Sequence, residues 1–320
     1  MRRRRVNELR GQAVVITGGS RGLGYALARE FAARGSHLLL CARDSDELDR
    51  ARRNLLDRCG GRVVSVTCDV TDPYQVRNMI DAAIEEYGRI DILVNNAGAI
   101  SVGPVHTMTL EDFEQAMDVM FWGMVHTTLA TLPKLRERGR GNIVNISSIG
   151  GKVSVPHLLP YSCAKFAAMA FSEGLCAELK GTGVNVLTIA PGLMRTGSFL
   201  NARFKGAEDG EAGWFSAGAS LPGISMSARR AARQIVSAIE QGRTERILTT
   251  QANVLARFHA LFPELSISVM GLVNRLLPQG SRRMETGSES DLLQRPWMKA
   301  ITLLGRRAAK ELLQPAVQAR

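Results

Sequence analysis

Apolar positions along the chain fall into two kinds of run. Some are short and continuous, such as Ala13-Val14-Val15-Ile16, the length of a buried strand. Others recur every three or four residues. The stretch 25–34, with Leu27 and Phe31 four apart, presents one apolar face of a helix. The two kinds alternate. Strand patterns return at 36–43, at 62–69 with many β-branched residues, and at 90–94, 142–146 and 184–189. Helical patterns fill 46–58, where Leu48, Ala51, Leu55 and Leu56 recur at helical spacing, and the long stretches 110–137 and 161–180. Asp72 is a suitable N-cap with Pro73 in the first turn, and Gly88 stops that helix after Tyr87. Alternation at this spacing predicts βαβ units: an α/β fold of three layers, doubly wound, around a mostly parallel sheet.

The first strand runs into the first helix through Thr17-Gly18-Gly19-Ser20-Arg21-Gly22-Leu23-Gly24. A glycine turn at a helix N-terminus offers free N–H groups and the positive end of the helix dipole, which suits a phosphate. Ligands of doubly wound folds bind beyond the carboxyl ends of the strands. The loop therefore shares a cleft with Asn95-Asn96-Ala97-Gly98, Ser147-Ser148 and Pro191-Gly192, which end the fourth, fifth and sixth strand patterns. Tyr161 and Lys165 open the next helix as i, i+4 neighbours on one face. A nearby ammonium favours phenolate, so Lys165 is expected to lower the Tyr161 pKa and make it a general acid or base. The Ser148 hydroxyl can hydrogen-bond a substrate carbonyl.

Composition narrows the setting. The 320 residues are 45% hydrophobic, enough for a sizeable core, and carry a net charge of +11. Part of that charge is Arg2-Arg3-Arg4-Arg5, in a basic tail over 1–10. No nucleic-acid motif follows it, so a solvated tail is the expectation and no nucleic-acid partner is. No apolar signal region follows either, and nowhere do eighteen apolar residues run together. The five cysteines, Cys41, Cys59, Cys68, Cys163 and Cys176, are odd in number and scattered. That fits reduced thiols and a cytoplasmic location. The five histidines lack metal-ligand spacing, so no metal is expected.

Taken together, the Thr17–Gly24 loop, Asn95–Gly98, Ser148, Tyr161 with Lys165, and Pro191-Gly192 resemble the short-chain dehydrogenase/reductase family in order and spacing, over about residues 10 to 250. The resemblance implies a Rossmann fold over 11–250, its sheet completed to seven strands by one at about 246–250, and hydride transfer between a nicotinamide dinucleotide and a carbonyl or alcohol carbon. It implies that Tyr161 gives or takes the proton, that Lys165 lowers its pKa and binds the nicotinamide ribose, and that Ser148 orients the carbonyl. Gly18, Ser20, Arg21, Gly22, Leu23, Gly24, Asn95, Ala97 and Gly98 are then expected to line the cofactor. Pro191, Gly192 and Thr196 would border its carboxamide and pyrophosphate, and Asp69 with Val70 its adenine. An NAD site wants an acid at the end of the second strand, where this chain has Ala42 and then Arg43. With Arg21 in the loop, two guanidinium groups could clamp a 2′-phosphate, so NADP(H) is expected over NAD(H). Asp44 follows closely and argues the other way.

One position departs from the family. Its catalytic asparagine, 28 positions before the serine, is here Met120. A thioether donates nothing and accepts weakly. Two readings therefore stand: an NADP(H)-dependent carbonyl reductase or alcohol dehydrogenase, or an NADP(H)-binding regulatory or scaffold protein with little turnover. The stretch 192–226 corresponds to the family's substrate loop and holds Phe199, Phe204, Trp214 and Phe215. These make either a mobile lid over an apolar substrate or anchors that fix the loop. Residues 251–320 form a helical extension, with a polar linker at 279–290. At its end Trp297, Ile301, Leu304, Ala308 and Leu312 line one helical face beside Lys299, Arg306, Arg307 and Lys310. Docking of this face on the enzyme's own core or on a partner subunit is favoured over peripheral membrane contact through 297–313. Family members often form dimers or tetramers through the helices at 110–137 and 161–180, so a homo-oligomer is expected.

Overall fold

The computed structural model describes residues 9–56, 60–206, 210–278 and 284–314. The arginine run at 2–5 and Cys59 lie outside the described residues. Seven strands form the main sheet: β1 (Ala13–Thr17), β2 (His37–Ala42), β3 (Val63–Thr67), β4 (Ile92–Asn95), β5 (Gly141–Ile146), β6 (Val184–Pro191) and β7 (Glu245–Leu248). Every pairing in it is parallel, in the order β7-β6-β5-β4-β1-β2-β3. The order reverses beside β1, so the crevice opens between β1 and β4.

Successive side chains of a strand face opposite ways, and the core divides accordingly. Val14, Ile16, Leu38, Leu40 and Val94 pack against Leu27 and Phe31 of α1 (Gly22–Ala32), Leu48 and Leu55 of α2 (Ser45–Leu56), and Ile235 and Ile239 of a later helix. Val15, Leu39, Leu93 and Ile143 pack against Val76, Met79 and Ile80 of α3 (Pro73–Tyr87). As expected, the Asp72 side chain caps α3 by accepting from Tyr74 and Gln75, and Gly88 ends it at φ +69. The stretch 110–137 is not one regular helix. It is α4 (Leu110–Met117), a π-helical turn over Asp118–Trp122, and α5 (Gly123–Glu137). The turn carries Met120, and such turns recur at functional sites. Beside α4 and this turn lies α6 (Leu159–Glu178), the helix of Tyr161 and Lys165.

Residues 192–226 fold differently from an open lid. They contain α7 (Gly210–Ser220), and Phe199, Phe204 and Phe215 are buried in a cluster of their own with Val102, Leu158, Leu293 and Met298. The aromatic residues are therefore anchors, and they carry no information on whether the substrate is apolar. A three-stranded sheet reinforces the loop. Arg203–Lys205 pairs in parallel with Ser101–Val102 and antiparallel with Met284–Thr286. Part of the expected linker at 279–290 is thus a strand, and 279–283 lie outside the described residues.

After α8 (Ala228–Glu240) the chain makes α9 (Thr250–Leu261), α10 (Pro263–Leu276), α11 (Asp291–Gln294), α12 (Pro296–Ile301) and α13 (Leu303–Glu311). The buried positions of the last two are Met298, Thr302, Gly305, Ala309 and Leu312, while Trp297, Ile301 and Leu304 are exposed. The docked face is thus rotated from the expected one. Small residues decide it. A Cβ on Gly305 would meet Ser220 Oγ at 2.3 Å, and one on Gly197 would meet Ala309 Cβ at 2.3 Å. Only a glycine–alanine surface lets α13 come this close. Among the described residues no helix is long and apolar enough to cross a membrane.

A buried polar bridge ties α7 to the loop before α6. His157 Nδ1 lies 2.6 Å from Glu211 Oε1, and Trp214 Nε1 donates to Glu211 Oε2 at 2.7 Å. His157 stands at φ +63, uncommon for a side-chain-bearing residue, and its carbonyl accepts from Gly103. Burial pushes the Glu211 pKa up, and its bonds with Trp214 and His157 oppose the rise. Removing the carboxylate strands the buried His157 and the half-buried Trp214 N–H. Glu211→Ala should therefore lower the free energy of unfolding by about 2–4 kcal/mol, and Glu211→Gln, which keeps one acceptor, by less. Urea unfolding of both variants measures this, and a loss for Glu211→Ala below about 0.5 kcal/mol, the range of ordinary surface substitutions, would contradict it.

Candidate active site

The glycine loop is shaped by two close approaches. Gly18 has φ +61, and a Cβ there would stand 3.1 Å from Ala97 Cα. On Gly24 a Cβ would meet the Gly18 carbonyl oxygen at 2.0 Å. The loop is bound to the end of β4 through Thr17 and Asn96. Thr17 Oγ1 accepts from the N–H groups of Asn96 (2.9 Å) and Ala97 (3.1 Å). The Asn96 amide donates to the carbonyls of Thr17 (2.9 Å) and Gly18 (3.1 Å). Sequence reasoning left Thr17 and Asn96 out of the site. Their hydroxyl and amide, repeated at the ends of adjacent strands, were the signal that could have found them.

Asn95 does something else. Its amide donates to Asn145 Oδ1 (2.8 Å) and Thr128 Oγ1 (3.1 Å), and its Oδ1 accepts from Thr127 Oγ1 (2.6 Å). Asn145 in turn donates to Ser172 Oγ at 2.9 Å, which pairs with Thr188 Oγ1 at 2.7 Å. The side chain expected beside the cofactor is instead spent on a buried network that locks β4, β5 and β6 to α5 and α6.

Ser148 follows β5 and caps the short helical turn Ile149–Gly151, its Oγ accepting from Gly150 N–H at 3.0 Å. Ser147 Oγ donates to the Lys165 carbonyl at 2.8 Å, which sets α6 against β5. The Lys165 ammonium donates to the Ile146 carbonyl at 2.8 Å and lies 5.8 Å from the centre of the Tyr161 ring. Burial lowers the Lys165 pKa from 10.5 to about 8. Tyr161 shares a hydrogen bond with Ser148, which favours phenolate, but burial pushes its pKa up and outweighs that bond. The expected lowering by Lys165 is thus not what this arrangement produces: the ammonium is turned to a backbone carbonyl, and loss of water acts on the phenol instead. Met120 is buried with Ala116 and Ala164, and Tyr161 packs against them. A Cβ on Gly98 would lie 3.7 Å from its sulfur.

The other expected residues gather around the same crevice with varied surroundings. Arg21 is not free: it pairs with Glu47 at 2.8 Å, and Ser20 Oγ donates to the same carboxylate at 3.1 Å. Arg43 is exposed. Asp69 Oδ1 accepts from Thr71 N–H and hydroxyl at 3.0 and 2.9 Å, and Val70 is buried, with His126 Nδ1 3.2 Å from its carbonyl. Pro191 ends β6, and a Cβ on Gly192 would come 2.7 Å from Thr249 Oγ1. Thr196 is buried and its Oγ1 accepts from Ser198 N–H at 3.2 Å. Leu23 enters the core beside α1. The C-terminal segment also reaches the loop. Gly22 N–H donates to the Leu312 carbonyl at 2.9 Å, and a Cβ on Gly22 would lie 2.9 Å from Gln314 Nε2 and 4.0 Å from Thr196 Cβ.

Residues 12–205 match the family described as short chain dehydrogenase. A dehydrogenase/reductase SDR family protein 7-like of Anopheles gambiae is 36% identical over 224 residues, 68% of this chain and 71% of that protein. The dehydrogenase/reductase SDR family member 7B of Rattus norvegicus is 36% identical over 199 residues, 61% of each chain. Among solved structures, a short-chain dehydrogenase from Streptomyces avermitilis has a TM-score of 0.70 at 30% identity, over 83% of this chain and 98% of that one. An alcohol dehydrogenase from the archaeon Thermococcus sibiricus, complexed with 5-hydroxy-NADP, has a TM-score of 0.62 at 26% identity, over 74% and 95%. A match across more than half of the sequence thus joins a parallel sheet of the same topology and a glycine turn at its switch point, and the chain belongs to the short-chain dehydrogenase/reductase family of Rossmann-fold oxidoreductases.

Proposed function

We propose that the protein interconverts an alcohol and a ketone or aldehyde with NADP(H), and that Tyr161 moves the proton. The observation that carries this reading is the grouping of Tyr161, Ser148 and Lys165 at the end of β5, with the Lys165 ammonium bonded to the Ile146 carbonyl and 5.8 Å from the centre of the Tyr161 ring. The hydride chemistry is supplied by the nicotinamide when it is bound. Gly18 and Gly24 let the loop close on Ala97 and on itself where any Cβ would clash, and α1 begins at Gly22, so its dipole favours phosphate there. Tyr161 and Ser148 together receive the carbonyl oxygen. With its pKa raised, the phenol stands protonated at neutral pH, the form that donates to a carbonyl as the alcohol is made. At the same pH Lys165 is mostly an ammonium and holds positive charge near the ring and the ribose hydroxyls.

Preference for NADPH rests on Arg43 and Arg21 together with Ala42 in the place of a ribose-binding acid. Glu47 weighs against it, because its carboxylate holds Ser20 and Arg21. A 2′-phosphate would draw Arg21 away from Glu47, while Arg43 is already exposed to meet it. The scaffold reading keeps one supporting observation: Met120 is packed in an apolar cluster and offers no donor to a proton relay.

Two experiments test these assignments. In a screen of ketones, steroids, retinoids and acyl carbonyls followed by NADPH absorbance, the parent protein should turn over at least one class. Tyr161→Phe should then lose about 10²–10⁴-fold in rate with its NADPH dissociation constant nearly unchanged. A parent that binds NADPH and reduces nothing would favour the scaffold. Titration calorimetry should give tighter binding of NADPH than of NADH, and Arg43→Ala should shrink that ratio about tenfold, the worth of one charge-assisted bond. Equal affinities in the parent would dispose of the NADP preference.

A further inference from the structure

The helix α10 has 14 residues, and among them Ser266 alone is buried. An isolated helix of that length is marginal in water, so its stability has to come from packing. Its apolar side chains are arranged for packing but face outward. Leu265, Val269, Leu272 and Leu276 recur at helical spacing on one face and are 54%, 43%, 59% and 81% exposed. On α9 the buried positions are Ala252 and Ala256, while Val254, Leu261 and the adjoining Phe262 are exposed to a similar degree. Helical spacing puts the cations at the flanks of these apolar faces, Arg257 beside Val254 and Leu261, and Arg275 beside Leu272 and Leu276. Glu264 is the only carboxylate between residues 250 and 278. Next to α9, a groove of ≈ 1450 Å³ between α6, α8 and α9 is lined by Arg257 and two more exposed arginines, Arg230 and Arg246, with Glu173 and Glu245 and apolar Phe166 and Ile224.

From this we propose that the outer faces of α9 and α10 dock on an anionic lipid bilayer. The apolar side chains enter the headgroup boundary, and the flanking arginines meet lipid phosphates and carboxylates. A second copy of this chain fits the surface less well, because pairing the two faces would set arginines against arginines with few acids between them. The proposed membrane-facing element is α9–α10; the C-terminal helix has its small-residue face docked on α7. Flotation of the full chain on phosphatidylcholine vesicles with and without phosphatidylserine tests the proposal. The protein should float with the anionic vesicles and be released by salt. The double variant Leu272→Glu/Leu276→Glu should stay at the bottom with an unchanged melting temperature. Recovery at the bottom in all cases, or equal flotation of the variant, would overturn it. So would a dimer of the parent that becomes a monomer in the variant, which would make a second copy the occupant.

A separate observation concerns Leu312 and Gln314. A dinucleotide phosphate at the start of α1 needs the Gly22 N–H and the space toward Thr196. In this structure the Leu312 carbonyl takes that N–H, and Gln314 reaches into that space. The segment is moored from both sides: Glu311 pairs with Arg29 and Arg229, Leu312 is buried against the core, and Asn201 donates to Gln314 Oε1 at 2.7 Å. We infer that residues 311–314 form a strap that must leave the loop when cofactor enters; this rests on the cofactor reading above. Hydrogen exchange of the intact protein tests it, with NADPH binding followed by fluorescence in the same samples. Bound NADPH should speed exchange across 308–314 severalfold, and Gln314→Ala should tighten NADPH binding. Normal NADPH binding with unchanged or slower exchange in that segment would refute the strap alone. Failure to bind NADPH at all would refute the cofactor reading on which it stands.

Discussion

Much of the candidate site's arrangement depends on one buried charge. The Lys165 ammonium lies inside the protein and donates to the carbonyl of Ile146, the last residue of β5. A charge removed from water is costly unless it is well partnered, and the cost shows as a pKa lowered to about 8. The bond fixes α6 to the strand that carries Ser148. Ser147 adds a second tie from its hydroxyl to the Lys165 carbonyl. Tyr161, one turn earlier on α6, is thereby held beside Ser148. The same burial that lowers the lysine raises the tyrosine, so the pair stands as ammonium and phenol at neutral pH.

Beneath this pair lies a polar layer where an apolar one would be usual. Asn95, Asn145, Ser172, Thr188, Thr127 and Thr128 satisfy one another across three strands and two helices. A network of this kind tolerates one register, because slipping any strand by a residue would leave several buried groups unpaired. It fixes the relative height of the carboxyl ends of β4, β5 and β6, and so the crevice they border. The Thr17–Asn96 bracket does the same for the glycine loop.

The C-terminal extension is used in two opposite ways. Its last part returns to the family core, where Gly305 and Ala309 permit close packing on α7 and Gly197, and Leu312 arrives at the glycine loop. Its first part, α9 and α10, turns apolar residues outward. Hydrophobicity alone does not separate these segments. Small residues dock both α9, through Ala252 and Ala256, and α13, through Gly305 and Ala309, whereas α10 buries Ser266 alone.

The sequence by itself determined the local elements and most of the site's membership. Period-two and period-3.6 patterns, the Asp72–Pro73 and Gly88 boundaries and the glycine turn are written in neighbouring residues, and neighbours fix local backbone conformation. The Tyr161–Lys165 spacing is equally local. Tertiary structure alone decided who partners whom. Glu47 takes Arg21, Asn96 braces the loop while Asn95 does not, Glu211 takes His157, and Leu312 takes Gly22. These partners stand 26 to 290 residues apart or on different faces of one strand end, and no periodicity links them. It also decided the sign of the Tyr161 shift. Sequence spacing places a charge near the phenol, but only the packed site tells how much water is lost there and where the ammonium points.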